Sequence, residues 1–385
     1  MKKIALISCH KDPNYGTMLQ AYALHKAIKK LGFNSEYLSY TTTPKGWQRI
    51  KYIFTTGIKV PLILLKKILY LIKKQHSIND FSFFTTPDFE QIMSAYASWH
   101  KKYIPCTTEV YNHLNITNIL QLYDKFIVGS DQTWSPYRNM NYTAFYFNFL
   151  QFVNDSEKKC SYAPSFGTSS LLPYFTKRVI KELKTFNYVS CREGGISKVL
   201  YKEGNIHIEH VVDPTLLLTP QEWEEVALPI TMPSKYILCY ILGEKDCISE
   251  FAERLGGQTN IPVFYILTRP HYLNKPNLLN MIGPGEFITL IKNATYVCTD
   301  SFHGTIFSIN FNVPFYSFTK RNTYDKTNDN DRIQEVLSTF NLLDRYKEDY
   351  DKNILTPDIN FDDANIILNQ LRSKSIDFLR ELLNA

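Results

Sequence analysis

The chain has 385 residues, which predicts two domains of ordinary size. Hydrophobic residues make up 44% and charged residues 21%, so two cores can form without disulfide or metal staples. The formal charge of +6 excludes the dense basic footprint of a nucleic-acid binder and suits an anionic substrate or an anionic membrane surface.

Cys9, Cys106, Cys160, Cys191, Cys239, Cys247 and Cys298 contain no C-x-x-C pair. Cys9, Cys160, Cys191, Cys239 and Cys298 sit in or beside strand-like runs and read as reduced, buried small hydrophobes of a cytosolic protein, and no metal site is expected. Met1-Lys2-Lys3 runs straight into an apolar stretch that stops at Ser8, too short for the core of a secretory signal. No uninterrupted apolar run reaches the ~18 residues of a membrane span.

In chain order, Lys3 to Ser8 predicts a buried strand, Gly16 to Leu31 a helix ended by Gly32, and Phe33 to Tyr40 a second strand. That βαβ order predicts a parallel sheet. Within 57–75, Pro61 opens a leucine- and isoleucine-rich run with Lys59, Lys66, Lys67, Lys73 and Lys74, a basic amphipathic helix able to lie on a membrane surface or to pack on the first domain. Strands follow at Lys125–Val128, Lys159–Ala163, Asn187–Cys191 and Ile208–Val212, with helices at Leu172–Phe186 and Gly194–Glu203. Thr219 to Ser234 reads as a linker. A second βα series then begins with strands at Tyr236–Ile241, Val263–Leu267, Thr295–Thr299 and Pro314–Phe318, and helices at Gly285–Asn293 and Gly304–Phe311. Arg332–Phe340 and Asp363–Leu383 are amphipathic helices. The expected architecture is α/β, with two Rossmann-like domains facing a central cleft. The first spans 1–222 and the second 223–355, and the helix in 356–385 can pack back on the first.

Polar residues repeatedly follow strand ends, the edge where open α/β sheets bind ligands. Asn14-Tyr15-Gly16 opens the first helix. Gly16 there would let an anion approach the backbone, or Asn14 is simply an N-cap beside a turn glycine. Asp131 ends a strand and could orient a sugar hydroxyl or cap a helix. Arg192 offers a planar fork to carboxylate or phosphate, or pairs with Glu193. Asp300-Ser301-Phe302-His303-Gly304-Thr305 is the most informative stretch. His303 at a helix mouth is suited to proton exchange near neutral pH, Asp300 could orient it, and the Gly304 and Thr305 N–H groups could hold an oxyanion.

In this order, Asn14-Tyr15-Gly16 with Gln20-Ala21-Tyr22, Val128 to Trp134, Tyr162 to Gly167, Arg192-Glu193, Val212 to Thr215, and Asp300 to Gly304 resemble the polysaccharide pyruvyl transferase family over about residues 1–320. The resemblance implies a glycosyltransferase-B-like fold, phosphoenolpyruvate as donor and co-substrate, no other cofactor and no nicotinamide. The acceptor it implies is a saccharide, carried in capsule or exopolysaccharide building on a polyprenyl lipid at the inner face of the bacterial membrane. It assigns donor binding to Arg192 and to the tripeptide ending at His303, with Gly304 behind it. Many relatives read Arg-Leu-His there, whereas this chain reads Ser301-Phe302-His303, so one donor-binding arginine is absent. Lys320 and Arg321, and more weakly Arg332, are the candidates to replace its charge. His303 and Asp300 are then the acid/base pair, and Asn14, Tyr15, Gly16 and Asp131 face the acceptor. Two other readings stand beside this one: a nucleotide-sugar glycosyltransferase of the same fold, and a non-catalytic carbohydrate-binding protein that has lost its donor site.

Overall fold

The computed structural model describes residues 2–42, 87–168, 170–243, 246–268, 274–319, 330–347 and 359–385. The basic stretch at 57–75 and the Lys320-Arg321 pair lie outside the described residues.

The first unit contains β1 (Lys3–Ile7), α1 (Tyr15–Lys30), β2 (Asn34–Tyr40), α2 (Pro87–Tyr103), β3 (Cys106–Tyr111), β4 (Lys125–Asp131), α3 (Tyr142–Asn148) and β5 (Lys159–Pro164). Its sheet has the order β3-β2-β1-β4-β5, all parallel. Ile4 to Ile7 and Lys125 to Ser130 are buried, as central strands covered on both faces require. Then come α4 (Pro173–Leu183), β6 (Ser190–Cys191), α5 (Gly194–Gly204) and β7 (Glu209–His210), followed by the short α6 (Pro220–Glu224). A bridge between Cys160 and Tyr188 and the β6–β7 pair prolong the parallel run beyond β5.

The second unit contains β8 (Ile237–Tyr240), α7 (Cys247–Thr259), β9 (Val263–Ile266), β10 (Leu278–Leu279), α8 (Pro284–Lys292), β11 (Tyr296–Thr299), α9 (Phe302–Phe311), β12 (Phe315–Phe318), α10 (Asn330–Thr339) and β13 (Tyr346–Lys347). Its sheet, β10-β9-β8-β11-β12-β13, is again parallel throughout. Each sheet is wound outward in both directions from its first strand, and the crevice at that reversal lies at the strands' carboxyl ends. The fold is α/β with two Rossmann-like domains.

An aromatic core joins the units. Tyr15 of α1 stacks on Phe287 of α8 at 4.4 Å and donates its hydroxyl to the Ile282 carbonyl at 3.0 Å. Trp223 packs against Tyr22 of α1 on one side and Phe307 of α9 on the other. The last helix, α11 (Asp362–Asn384), sets Phe378 against Tyr162 and Tyr188 of the first unit.

The elements differ from those expected in three places. The strand expected at 208–212 keeps only Glu209 and His210, because the Val212 N–H leaves the sheet for the Ser375 hydroxyl of α11 at 3.0 Å. The strand at 187–191 is reduced to Ser190 and Cys191, with Tyr188 touching the sheet at a single bridge. The helix α2 and the edge strand β3 occupy a stretch for which the sequence predicted no element.

Candidate functional site

The two units meet where the amino ends of α1 and α9 come together at the carboxyl ends of β1 and β11. Asn14 caps α1 by accepting the Thr17 N–H at 3.2 Å. Ser301 caps α9 by accepting the Gly304 N–H at 3.3 Å, and its carbonyl takes the Thr305 N–H at 3.0 Å. The Gly304 and Thr305 amides are therefore spent on the cap, not held open for an oxyanion as the sequence suggested. Gly304 is needed because a Cβ there would come within 2.5 Å of the Thr299 hydroxyl. Gly16 backs directly onto His303: a Cβ on Gly16 would come within 2.0 Å of the imidazole Nδ1.

Arg192 is the hub of the charge cluster. It follows β6, and its side chain is 2% exposed. Its Nη1 donates to Asp213 Oδ2 at 2.6 Å, while Nη2 is 3.7 Å from Asp131 Oδ1 and Nε is 3.8 Å from Glu193 Oε1. The guanidinium lies over the Phe302 ring, 4.4 Å from its centroid, and that of Arg332 lies 5.6 Å from the same centroid. Arg332 Nη2 also donates to the Gln132 carboxamide oxygen at 2.8 Å. Asp213 is buried, held by the Thr215 N–H and hydroxyl at Oδ1 and by the Ser130 hydroxyl at Oδ2. Asp131 sits at φ 63°, a left-handed backbone an aspartate rarely adopts, and accepts from the Thr17 hydroxyl. Glu193 is bound by the Ser165 hydroxyl and by the Phe166 N–H.

The carboxylate beside the imidazole is Asp213, whose Oδ2 is 3.8 Å from His303 Nε2. Asp300, expected to orient His303, instead accepts the Leu242 and Gly243 N–H groups at 2.6 and 2.7 Å and ties the end of β8 to the end of β11. Tyr15, expected to face an acceptor, has its ring and hydroxyl in the aromatic core between the units. Asp131, Arg192, Phe302 and His303 converge, and Gly16 forms the wall behind the imidazole. Ser301 contributes by capping. Glu193, named from the sequence as the alternative partner of Arg192, does face it at 3.8 Å, whereas Asp213 and Thr17 were given no role there. The only sign of Asp213 was its place in the Val212-Asp213-Pro214-Thr215 run at an expected strand end.

Burial pushes the His303 imidazole below its ordinary range, and Arg192 and Arg332 add to this, while Asp213 and Asp131 pull the other way without restoring it. The ring is neutral at pH 7. Burial would raise the Asp131 carboxyl, but Arg192, His303 and the Thr17 hydrogen bond hold it down at about 2. Asp213 is also lowered: burial opposes ionisation, and Arg192 with His303 outweighs it. Glu193 is raised by burial despite Arg192 and Arg332. Arg192 Nε, Arg192 Nη2 and His303 Nε2 are buried without a hydrogen-bond partner. Arg192, Glu193, Asp213, Phe302, Arg332 and Glu335 line a cavity that opens beside them.

A model of the family described as polysaccharide pyruvyl transferase matches residues 14–320. No curated protein matches the chain. Among solved structures, the UDP-GlcNAc 2-epimerase of Methanocaldococcus jannaschii is 13% identical, with 97% of this chain and 100% of that one covered at a TM-score of 0.48. A UDP-N-acetylglucosamine 2-epimerase from Listeria monocytogenes is also 13% identical, with 97% and 96% covered at 0.48. The spinosyn rhamnosyltransferase SpnG is 10% identical, with 100% of each chain covered at 0.40.

Proposed function

The chain belongs to the polysaccharide pyruvyl transferase family, and from that premise we propose that it moves the pyruvyl group of phosphoenolpyruvate onto two hydroxyls of a saccharide, forming a pyruvate ketal. The observation that carries the reading is the Nε–Nη2 edge of Arg192, buried without a hydrogen-bond partner next to the equally unpartnered His303 Nε2. That edge is a bidentate fork matched to a carboxylate or phosphate, and an anion bound there would also satisfy the imidazole. The amino ends of α1 and α9 add two dipoles of the right sign.

In this reading His303 is neutral in the free protein and takes up a proton as the anionic donor binds. The imidazolium then delivers that proton to the methylene carbon of the donor, which becomes a methyl group. The C2 centre gains oxocarbenium character and is attacked by one sugar hydroxyl. The C2–O bond to phosphate breaks, and the second hydroxyl closes the ketal. Of the two hydroxyl protons, one restores the imidazolium and the other leaves on hydrogenphosphate, so the balance closes. Asp213 sets the ring's orientation, and Asp131 receives a hydrogen bond from the acceptor. Stabilising charge in a water-poor cleft is the larger catalytic contribution.

The local charge requires help. Glu193, Asp213 and Glu335 line the cavity together with Arg192 and Arg332, and Asp131 lies 3.7 Å from Arg192, so the carboxylates outnumber the guanidinium groups before a polyanionic donor arrives. Lys320 and Arg321 supply the remaining positive charge in this reading. The deciding experiment incubates the protein with phosphoenolpyruvate and extracted glycans, with and without lipid carrier, and follows phosphate release and the pyruvyl mass gain. Nucleotide release from sugar nucleotides with no pyruvyl gain would reject the proposal.

A further inference from the structure

A second cluster of chemically competent side chains lies away from the arginine hub. His10 follows β1 at the sheet's carboxyl edge, His100 is in the last turn of α2, and Cys106 opens β3. His10 Nδ1 is 2.9 Å from His100 Nε2, and Cys106 Sγ is 3.8 Å from the first and 4.0 Å from the second. His10 is buried, while His100 and Cys106 are half-buried and reachable from solvent. We propose that His10, His100 and Cys106 form a transition-metal site that takes Zn2+, with the fourth position left to water or a small ligand.

The distances fit that chemistry. Zinc–nitrogen bonds of ~2.0–2.1 Å and a zinc–sulfur bond of ~2.3 Å in a tetrahedron place two nitrogens about 3.3 Å apart and sulfur about 3.6 Å from each. The observed separations differ from these by a few tenths of an ångström. The two rings meet nitrogen to nitrogen, with centroids 5.1 Å apart and planes 19° from parallel, so binding requires each to turn slightly until the lone pairs converge. Two imidazoles and one thiolate form a borderline-soft set that selects zinc or copper over magnesium or calcium. Burial holds His10 down at about 3 and lowers His100, so both rings are already neutral ligands at pH 7. The Cys106 thiol is raised by burial to about 11 and releases its proton when the metal binds. The nearby charged groups are Lys11, which opposes a cation, and Glu36, which favours one. His10 also packs against Tyr37, with the ring planes tilted by 38° and the centroids 4.8 Å apart, which keeps its ring against the sheet.

An ion here would clamp the end of α2 and the start of the edge strand β3 to β1. This is a cross-link in the first unit, and the transfer chemistry proposed above does not call on it. The test uses the full chain stripped of metal with chelator. Titration with Co2+ should show saturable 1:1 binding with tetrahedral d–d bands and a thiolate-to-cobalt charge-transfer band, and Zn2+ should displace it. Zn2+ should also raise Tm in proportion to ln(1 + [Zn2+]/Kd). Cys106→Ala should abolish the charge-transfer band, and Cys106→Ala and His100→Gln should each weaken Zn2+ binding by on the order of 10²-fold or more. Both sites are half-buried, so these variants leave the core in place, and circular dichroism without metal checks it. Absence of 1:1 binding, a cobalt spectrum without a thiolate band, or unchanged affinity in both variants would leave the cluster a hydrogen-bonded histidine pair and overturn the proposal.

Discussion

Gly16 is the floor beneath His303: the imidazole occupies the space that any larger residue at position 16 would fill. Gly16→Ala must therefore displace the ring or α1. Overpacking of this kind costs about 1–3 kcal/mol, which a protein of this size tolerates. The effect on transfer should be larger, because a ring moved off its donor loses a general acid/base contribution of ~10²–10⁴ in rate. His303→Ala should show the same loss in kcat, and because the ring is buried, turnover is read on protein shown to be folded by circular dichroism. Near-normal turnover in both variants would remove His303 from the chemistry.

Arg192 and Asp213 form a buried ion pair at 2.6 Å. Removing the cation alone strands Asp213, and Arg192→Ala should destabilise the protein by about 3–5 kcal/mol. Arg192→Lys is the more informative variant. It keeps the charge but loses the fork, and one charge-assisted hydrogen bond of about 1.5–3 kcal/mol corresponds to a 10- to 100-fold weaker Kd for phosphoenolpyruvate. Calorimetry on the folded Lys variant reads this directly, and an unchanged Kd would place the donor elsewhere.

The contrast between Asp300 and Asp213 shows what the sequence could carry. Asp300 is three residues from His303, and proximity along the chain made it the natural partner. At the end of a parallel strand, however, the neighbouring strand's outgoing amides, Leu242 and Gly243, point at the same place and capture its carboxylate. Asp213 reaches His303 only because β6, β7 and α9 fold onto one another, a relation no spacing encodes. The βα alternation was readable because buried parallel strands such as Lys3-Ile4-Ala5-Leu6-Ile7 are nearly continuous apolar runs. The edge strand Cys106-Thr107-Thr108-Glu109-Val110-Tyr111 exposes several of its side chains and has no such signature. The sequence reads Gly16 as a place where an anion could approach the backbone, whereas what packs against it is an imidazole from the other unit.

Lys320 and Arg321 should matter for the donor more than for the fold. The carboxylates around Arg192 already outnumber the guanidinium groups, so phosphoenolpyruvate needs further cations nearby. The double variant Lys320→Ala, Arg321→Ala should weaken donor binding and flatten its salt dependence, with Tm nearly unchanged. Equal affinity and equal salt dependence by calorimetry would show that the arginine missing from the Ser301-Phe302-His303 tripeptide is not replaced from this segment.

Asp131 ties the stability of the site to acid. Its carboxyl is held at about 2 against an ordinary value of 3.8. A carboxyl depressed on folding stabilises the native state above its unfolded value, and that contribution disappears as pH falls from about 4 to about 2. The shift corresponds to roughly 2 kcal/mol. Asp131→Asn, which keeps the shape and removes the charge, should be less stable than the parent at pH 6 by about that amount, with the gap closing towards pH 2. Urea unfolding of both proteins across this range measures it. His303 has the same sign by a different route: its depressed pKa means the unfolded chain takes up a proton first, so stability also falls as pH drops below about 6.5. Donor binding should reverse this for His303, because a bound polyanion favours the imidazolium. Calorimetry near pH 7 in buffers of different ionisation enthalpy should then show proton uptake with phosphoenolpyruvate, abolished in His303→Ala. Binding without proton uptake would mean the ring stays neutral in the complex and does not deliver the proton.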